Sequence, residues 1–145
     1  LEQNNIYRKL KELDDSLIVD INNEIYVIVH AGLFILPDIE IEDLLKMQGD
    51  NIFWIRKRFL KSNVKTNYKI IFGHTQTFTI PYELNSYPKH YTYEGYDEKK
   101  IVEEAKQSKI WFKDNKIGID CGLASNGVLG CLRLNDMKEF YVKVE

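Results

Sequence analysis

Two of the three histidines in this chain stand at the ends of apolar runs. Tyr26–Leu33 reads YVIVHAGL and places His30 before Ala31 and Gly32; Lys69–Thr75 reads KIIFGHT and places His74 after Gly73. Each run delivers one imidazole to its C-terminal end, beside a small residue. A neutral imidazole is a common ligand for Zn, Mn or Fe, and adjacent strands would put the two side by side. Taken singly, each also reads as a half-buried histidine at a strand terminus. Between them lies FWIRKRF, residues 53–59, whose Arg56 and Arg58 read by themselves as surface-helix arginines. The third histidine, His90, falls in the tyrosine-rich PKHYTY and is expected to face solvent, with a substrate contact left open.

The elements that must position these groups follow from pattern. Ile6, Leu10 and Leu13 predict a short amphipathic helix over Glu2–Leu13. Leu17–Ile21 and Ile25–His30 predict a hairpin about Asn22-Asn23-Glu24, and the second strand is apolar enough to be buried on both faces. Ile41–Met47 and Ile52–Leu60 read as helices separated by Gly49-Asp50-Asn51, and Tyr68–Phe72 as the next buried strand. Gln76–Tyr93 reads as a long loop with extended pieces, and Asp97–Ser108 as a surface helix. Four strands close the chain: Lys109–Lys113, Lys116–Cys121, Val128–Leu134 and Glu139–Val144. Their joints, Asp114-Asn115, Gly122–Gly127 and Asn135-Asp136, carry the residues tight turns demand.

Composition narrows the class. A chain of 145 residues fits one domain, and 44% hydrophobic residues suffice for a core. With a net charge of -2 and no basic cluster interleaved with aromatics, nucleic acid is an unlikely main partner. No apolar run is long enough to cross a membrane. Cys121 and Cys131 are too few for a disulfide framework, so a reducing cytoplasm is the expected setting, with both thiols as small buried residues. Cys121 lacks the arginine-closed phosphate loop that a cysteine-nucleophile phosphatase requires.

VHAGL, WIRKRF, FGHT and IDCG with its glycine loop, in this order and spacing, resemble the second half of a bacterial Ser/Thr protein phosphatase. That is the phosphoprotein phosphatase family, among the calcineurin-like metallophosphoesterases, and the resemblance covers about residues 6–135. It implies an α/β fold: a mixed β-sandwich of the metallophosphoesterase type, here its second half with flanking helices, as a single domain over residues 1–145. By position, His30 and His74 resemble two ligands of one ion in a pair of divalent transition metals (Mn, Fe or Zn). Arg56 resembles the family's phosphate-contacting arginine, and Gly32, Gly73 and Gly122 resemble residues that let loops approach the site. The implied activity is metal-dependent hydrolysis of phosphomonoesters, with a phosphoprotein or small phosphoester as substrate. A dinucleoside polyphosphate or nucleic-acid-end phosphohydrolase, and a non-catalytic binding domain retaining the fold, stay open.

Two residues depart from the family pattern: Gln76 follows GHT where proline is usual, and Cys121 stands where threonine is usual. More important, GD-x-HG, GD-x-x-DRG and GNHE segments, the family's source of the remaining ligands, do not occur in this sequence. The expectation is therefore an incomplete site whose catalysis needs an N-terminal half or a partner chain. The isolated chain is expected to be inactive. Leu1, which is not a methionine, favours a fragment of a longer protein.

Overall fold

Strand β2 (Glu24–Val29) is the hub of the molecule. It pairs antiparallel with β1 (Ser16–Ile21) on one side and parallel with β3 (Tyr68–Phe72) on the other. The computed structural model describes residues 12–86, 90 and 92–144, so nearly all of the helix expected over Glu2–Leu13 lies outside the described residues. The β1–β2 turn uses Asn22 and Asn23, both with positive φ (56° and 64°), which matches the right-handed twist of the flanking strands. Two short strands, β4 (Trp111–Lys113) and β5 (Lys116–Gly118), complete a five-stranded mixed sheet of order β1-β2-β3-β5-β4, with β5 parallel to β3. Strands β6 (Val128–Arg133) and β7 (Lys138–Lys143) form a separate two-stranded sheet. The fold is thus mixed α/β.

The expectation that β2 is buried on both faces holds, and its alternation explains how. Val27 and Val29 join Ile70 and Phe72 in a core built with the crossover helices α1 (Ile41–Lys46), α2 (Asn51–Trp54) and α3 (Lys57–Lys61). Tyr26 points to the other face and joins Ile71, Ile117, Cys121 and Val128. There the β6–β7 hairpin covers the sheet, with Leu132 and Tyr141 packed against that second core. The outer face of the hairpin, with Leu129, Phe140 and Val142, stays exposed.

Three expectations about elements need correction. Ile52–Leu60 is not one helix. The chain breaks at Ile55 and Arg56, whose φ/ψ of -133°/-95° is neither helical nor extended. Ile52, Ile55, Phe59 and Leu60 stand at i, i+3, i+7 and i+8, which one face of a straight helix would also bury with Trp54 opposite, so their spacing does not account for the break. The start of Gln76–Tyr93 is not extended: it winds into a 3-10 turn (Thr77–Thr79) and then α4 (Ile80–Glu83). Pro81 near the start of that helix costs it no hydrogen bond. The strand expected over Lys116–Cys121 ends at Gly118, because the following backbone turns to bond across the sheet edge, with the Thr77 N–H donating to the Asp120 carbonyl at 2.8 Å. The surface helix is confirmed as α5 (Glu98–Ala105), its N-terminus capped by the Asp97 carboxylate, which accepts from the Lys100 N–H.

Candidate metal and phosphate site

The parallel register of β2, β3 and β5 sets Val29, Phe72 and Gly118 side by side. The residues that follow them therefore emerge at one sheet edge: His30 from β2, Gly73 and His74 from β3, Ile119 and Asp120 from β5. The Gly73 N–H donates to the His30 carbonyl at 2.8 Å, and the Ile119 N–H to the Phe72 carbonyl at 2.9 Å, which extends the ladder into the site. Behind His30 the chain turns under α3. Gly32 has φ 142°, and a Cβ built there would sit 2.7 Å from Phe59 Cγ, so only glycine fits. Gly122, at φ 87°, turns the chain after Asp120 into α6 (Leu123–Asn126). Gly73 is different: a side chain there would meet only ordinary contacts. The left-handed residue of that loop is His74 itself, at φ 62°. The Thr75 N–H donates to the Gly73 carbonyl at 2.6 Å, closing a γ-turn about the histidine. A positive-φ γ-turn on a non-glycine residue is strained, and such strain persists where surrounding contacts over-determine it.

The turn brings the two imidazoles together. His30 Nε2 lies 3.2 Å from His74 Nδ1, with ring centroids 5.0 Å apart. With metal–nitrogen bonds of about 2.0–2.1 Å, two ligands on one ion are separated by about 3.0–3.4 Å, so the pair suits a shared ion. His74 Nε2, on the far side of its ring, is buried and has no hydrogen-bond partner, as has the neighbouring Thr75 hydroxyl. Burial, then the positive charges of Arg56 and His30, push the His74 pKa below its ordinary value, against the opposing pull of Asp120. This favours the neutral imidazole a metal requires. Among the described residues, no group of three or more His, Cys, Asp or Glu could hold a metal ion. The residues present fit two positions of a coordination sphere.

Arg56 reaches the same place through the helix break. Its Nη1 donates to the His74 carbonyl at 3.4 Å, and the rest of its exposed guanidinium faces outward. Trp54 stands edge-on to His74, centroids 5.6 Å apart and planes at 84°, although 71% of its surface is exposed. A groove of about 750 Å³ opens beside His30, between Phe53 and Trp54 on one wall and Leu13, Asp14 and Leu17 on the other.

His30, His74 and Arg56, singled out from the sequence, thus share one edge. His90 does not belong there. It is not solvent-facing as expected: its side chain is only 11% exposed and pairs with Glu104 at 2.8 Å, tying the tyrosine-rich segment to α5. Cys121 is buried, as expected, and burial raises its pKa, so it holds no reactive thiolate. Cys131 is exposed on the outer face of the hairpin, contrary to expectation, because one residue of register decides which face it takes. Two site residues carried no role in the sequence reading, Trp54 and Asp120. The signal for Asp120 was present: IGID is a third apolar run that ends in a ligand-type residue before a glycine two positions on.

No protein-family model matches the chain, and comparison with characterised proteins and with solved structures also finds no match. No helix among the described residues is long and apolar enough to cross a membrane.

Proposed function

We propose that this chain supplies part of the active site of a metal-dependent phosphoesterase of the calcineurin-like type, acting on phosphomonoesters such as phospho-Ser/Thr proteins. The observation that carries the reading is the 3.2 Å approach of His30 Nε2 and His74 Nδ1 at the C-terminal edge of parallel strands, with Arg56 beside them. His30 and His74 would hold one divalent transition ion (Mn, Fe or Zn) of a pair. Such an ion supplies Lewis acidity towards a phosphoryl oxygen and lowers the pKa of water. Arg56 would orient the phosphate: its free N–H groups present a charged fork, while its bond to the His74 carbonyl fixes where the fork points. The remaining ligands would come from an N-terminal half or a partner chain, with the five-stranded sheet as one layer of the family's sandwich.

The test uses the longest natural form of the protein, assayed with p-nitrophenyl phosphate and Mn²⁺. His30→Ala and His74→Ala should each abolish turnover, and Arg56→Ala should lower kcat/KM by about 10²-fold through lost charge stabilisation. Full activity in either histidine variant would sink the assignment. A second reading, a non-catalytic domain that retains the fold, draws on the two-ligand character of the site. It gains if the longest form binds Mn²⁺ through both histidines and hydrolyses nothing.

A further inference from the structure

The far nitrogen of His74 needs an explanation that the ligand pair does not provide. Nδ1 faces His30, while Nε2 is buried with no partner. A ring that offers Nδ1 to a metal must carry its proton on Nε2, and a buried N–H without an acceptor is destabilising. Metal-ligating histidines meet this need by donating the other ring N–H to a carboxylate, a carbonyl or water, which fixes both tautomer and ring orientation.

One carboxylate is placed to do this. Gly118 lies across from Phe72, and the Ile119 N–H donates to the Phe72 carbonyl at 2.9 Å, so Asp120 emerges against the Gly73–Thr75 turn. A Cβ built on Gly73 would be 4.0 Å from Asp120 Cβ. The Asp120 carbonyl accepts from the Thr77 N–H at 2.8 Å, which clamps the far end of the same turn. The Asp120 side chain is itself held: Oδ1 accepts from the Gly122 N–H at 3.0 Å, which leaves Oδ2 without a partner among the described residues. A half-buried carboxylate with one anchored oxygen and one open oxygen therefore stands against the turn whose His74 carries a buried ring nitrogen that lacks an acceptor. Its negative charge also acts on the His74 ring, in the direction that favours a protonated nitrogen.

We infer that Asp120 is the positioning residue of His74: its open carboxylate oxygen accepts the Nε2–H after a side-chain rotation, which keeps Nδ1 bare and aimed at the point shared with His30. The assignment gives Asp120 to His74 and not to the ion. The inference rests on the proposed metal reading only for its consequence. The tautomer of His74 is a property of the metal-free chain.

The experiment follows that division. Long-range ¹H–¹⁵N spectra of the metal-free protein, recorded with the imidazole neutral, report which ring nitrogen of His74 carries the proton. Calorimetry with Zn²⁺ alone then reports the site. The wild-type protein should show His74 as the Nε2–H tautomer. Asp120→Ala should let the two tautomers mix and weaken Zn²⁺ binding by about 10–100-fold. Asp120→Asn keeps an acceptor oxygen and should restore most of that affinity. If the alanine variant does not fold, the near-isosteric asparagine variant decides alone: the His74 Hε2 resonance must move upfield as the acceptor weakens. The inference is overturned by an Nδ1–H tautomer in the wild type, by unchanged tautomer and affinity in Asp120→Ala, or by an unmoved Hε2 resonance in Asp120→Asn. It is also overturned if Asp120→Asn loses Zn²⁺ as fully as Asp120→Ala, which would make Asp120 a direct ligand. Failure of the wild type to bind Zn²⁺ counts against the metal reading and leaves Asp120 to be judged on the tautomer.

Discussion

At the C-terminal ends of β2, β3 and β5 lie His30, His74 and Asp120; at the N-terminal ends of the same strands lie Glu24, Lys69 and Lys116. Both ends are concave and polar. The N-terminal end borders a cavity of about 560 Å³ walled by residues 62–69 and by Asp114 and Asn115, against about 750 Å³ beside His30. Concavity therefore does not separate them, but hydrogen bonding does. At the N-terminal end Lys69 pairs with Glu24 at 2.7 Å, the Tyr26 hydroxyl donates to the same carboxylate, and the Asn115 amide donates to Thr66. Even buried Lys116 is satisfied, its ammonium donating to the Ser62 carbonyl at the C-terminus of α3, where a cation is favoured. At the histidine end two buried polar atoms have no partner and a tryptophan is left in solvent, whereas positive φ occurs at both ends, at His74 on one and at Asn22, Asn23 and Asp114 on the other. A structural edge closes its polar accounts internally. The histidine edge leaves two buried groups unpaired.

The largest expected effect tests whether the two ends are separable. His30→Ala or His74→Ala should weaken Zn²⁺ or Mn²⁺ binding by more than about 10²-fold, since each removes one of the two proposed ligands. Lys116→Met at the opposite end should leave it unchanged by calorimetry. An equal loss in all three would show that the ends are one unit.

Next is the backbone behind His30. Gly32→Ala drives a methyl into the Phe59 ring at a φ that alanine resists. It should cost about 2–4 kcal/mol in urea unfolding. A loss below about 0.5 kcal/mol would mean that Phe59 yields easily and that the close approach is not what shapes the loop.

Strain at His74 gives an effect of opposite sign. His74→Gly removes the imidazole but relieves positive-φ strain of about 1–2 kcal/mol. Its unfolding midpoint should match or exceed that of the wild type while divalent-ion binding disappears. A clear drop in the midpoint would mean that the turn is not strained.

The smallest effects are in the pH dependence. The folded-state pKa of His74 lies below its unfolded value because burial, then the charges of Arg56 and His30, disfavour its protonation. The unfolded chain therefore binds the proton more readily. The stability linked to His74 is present above about pH 6.5 and is lost as pH falls through the lower folded value. Lys116 is depressed in the same sense by burial, so its contribution is lost as pH falls from about 10.4. His74→Gln should flatten the acid side of the stability profile and Lys116→Met the alkaline side, by chemical unfolding across pH. Reversed slopes would contradict the burial assigned to each group.

Much of this was legible in one dimension. Strand β2 and strand β3 were, because apolar runs with buried faces on both sides need no partner to be recognised. The hairpin at Asn22-Asn23 was too, because positive φ selects its residues locally. The break at Arg56 was not: nothing in IFWIRKRFL forbids a helix, and Ile52, Ile55, Phe59 and Leu60 have the spacing of one helical face. The exposure of Cys131 and the burial of His90 were equally out of reach, since each depends on a partner distant in sequence.

The sequence by itself determined the chemical types at the site, two imidazoles and a guanidinium, and the strand ends on which the imidazoles stand. Periodicity and side-chain chemistry are local properties. Tertiary structure alone decided that His30 and His74 meet at 3.2 Å, that His74 rather than Gly73 takes the left-handed turn, and that Asp120 comes to stand against that turn. These depend on the parallel register of β2, β3 and β5, which the chain settles by burying both faces of the sheet at once.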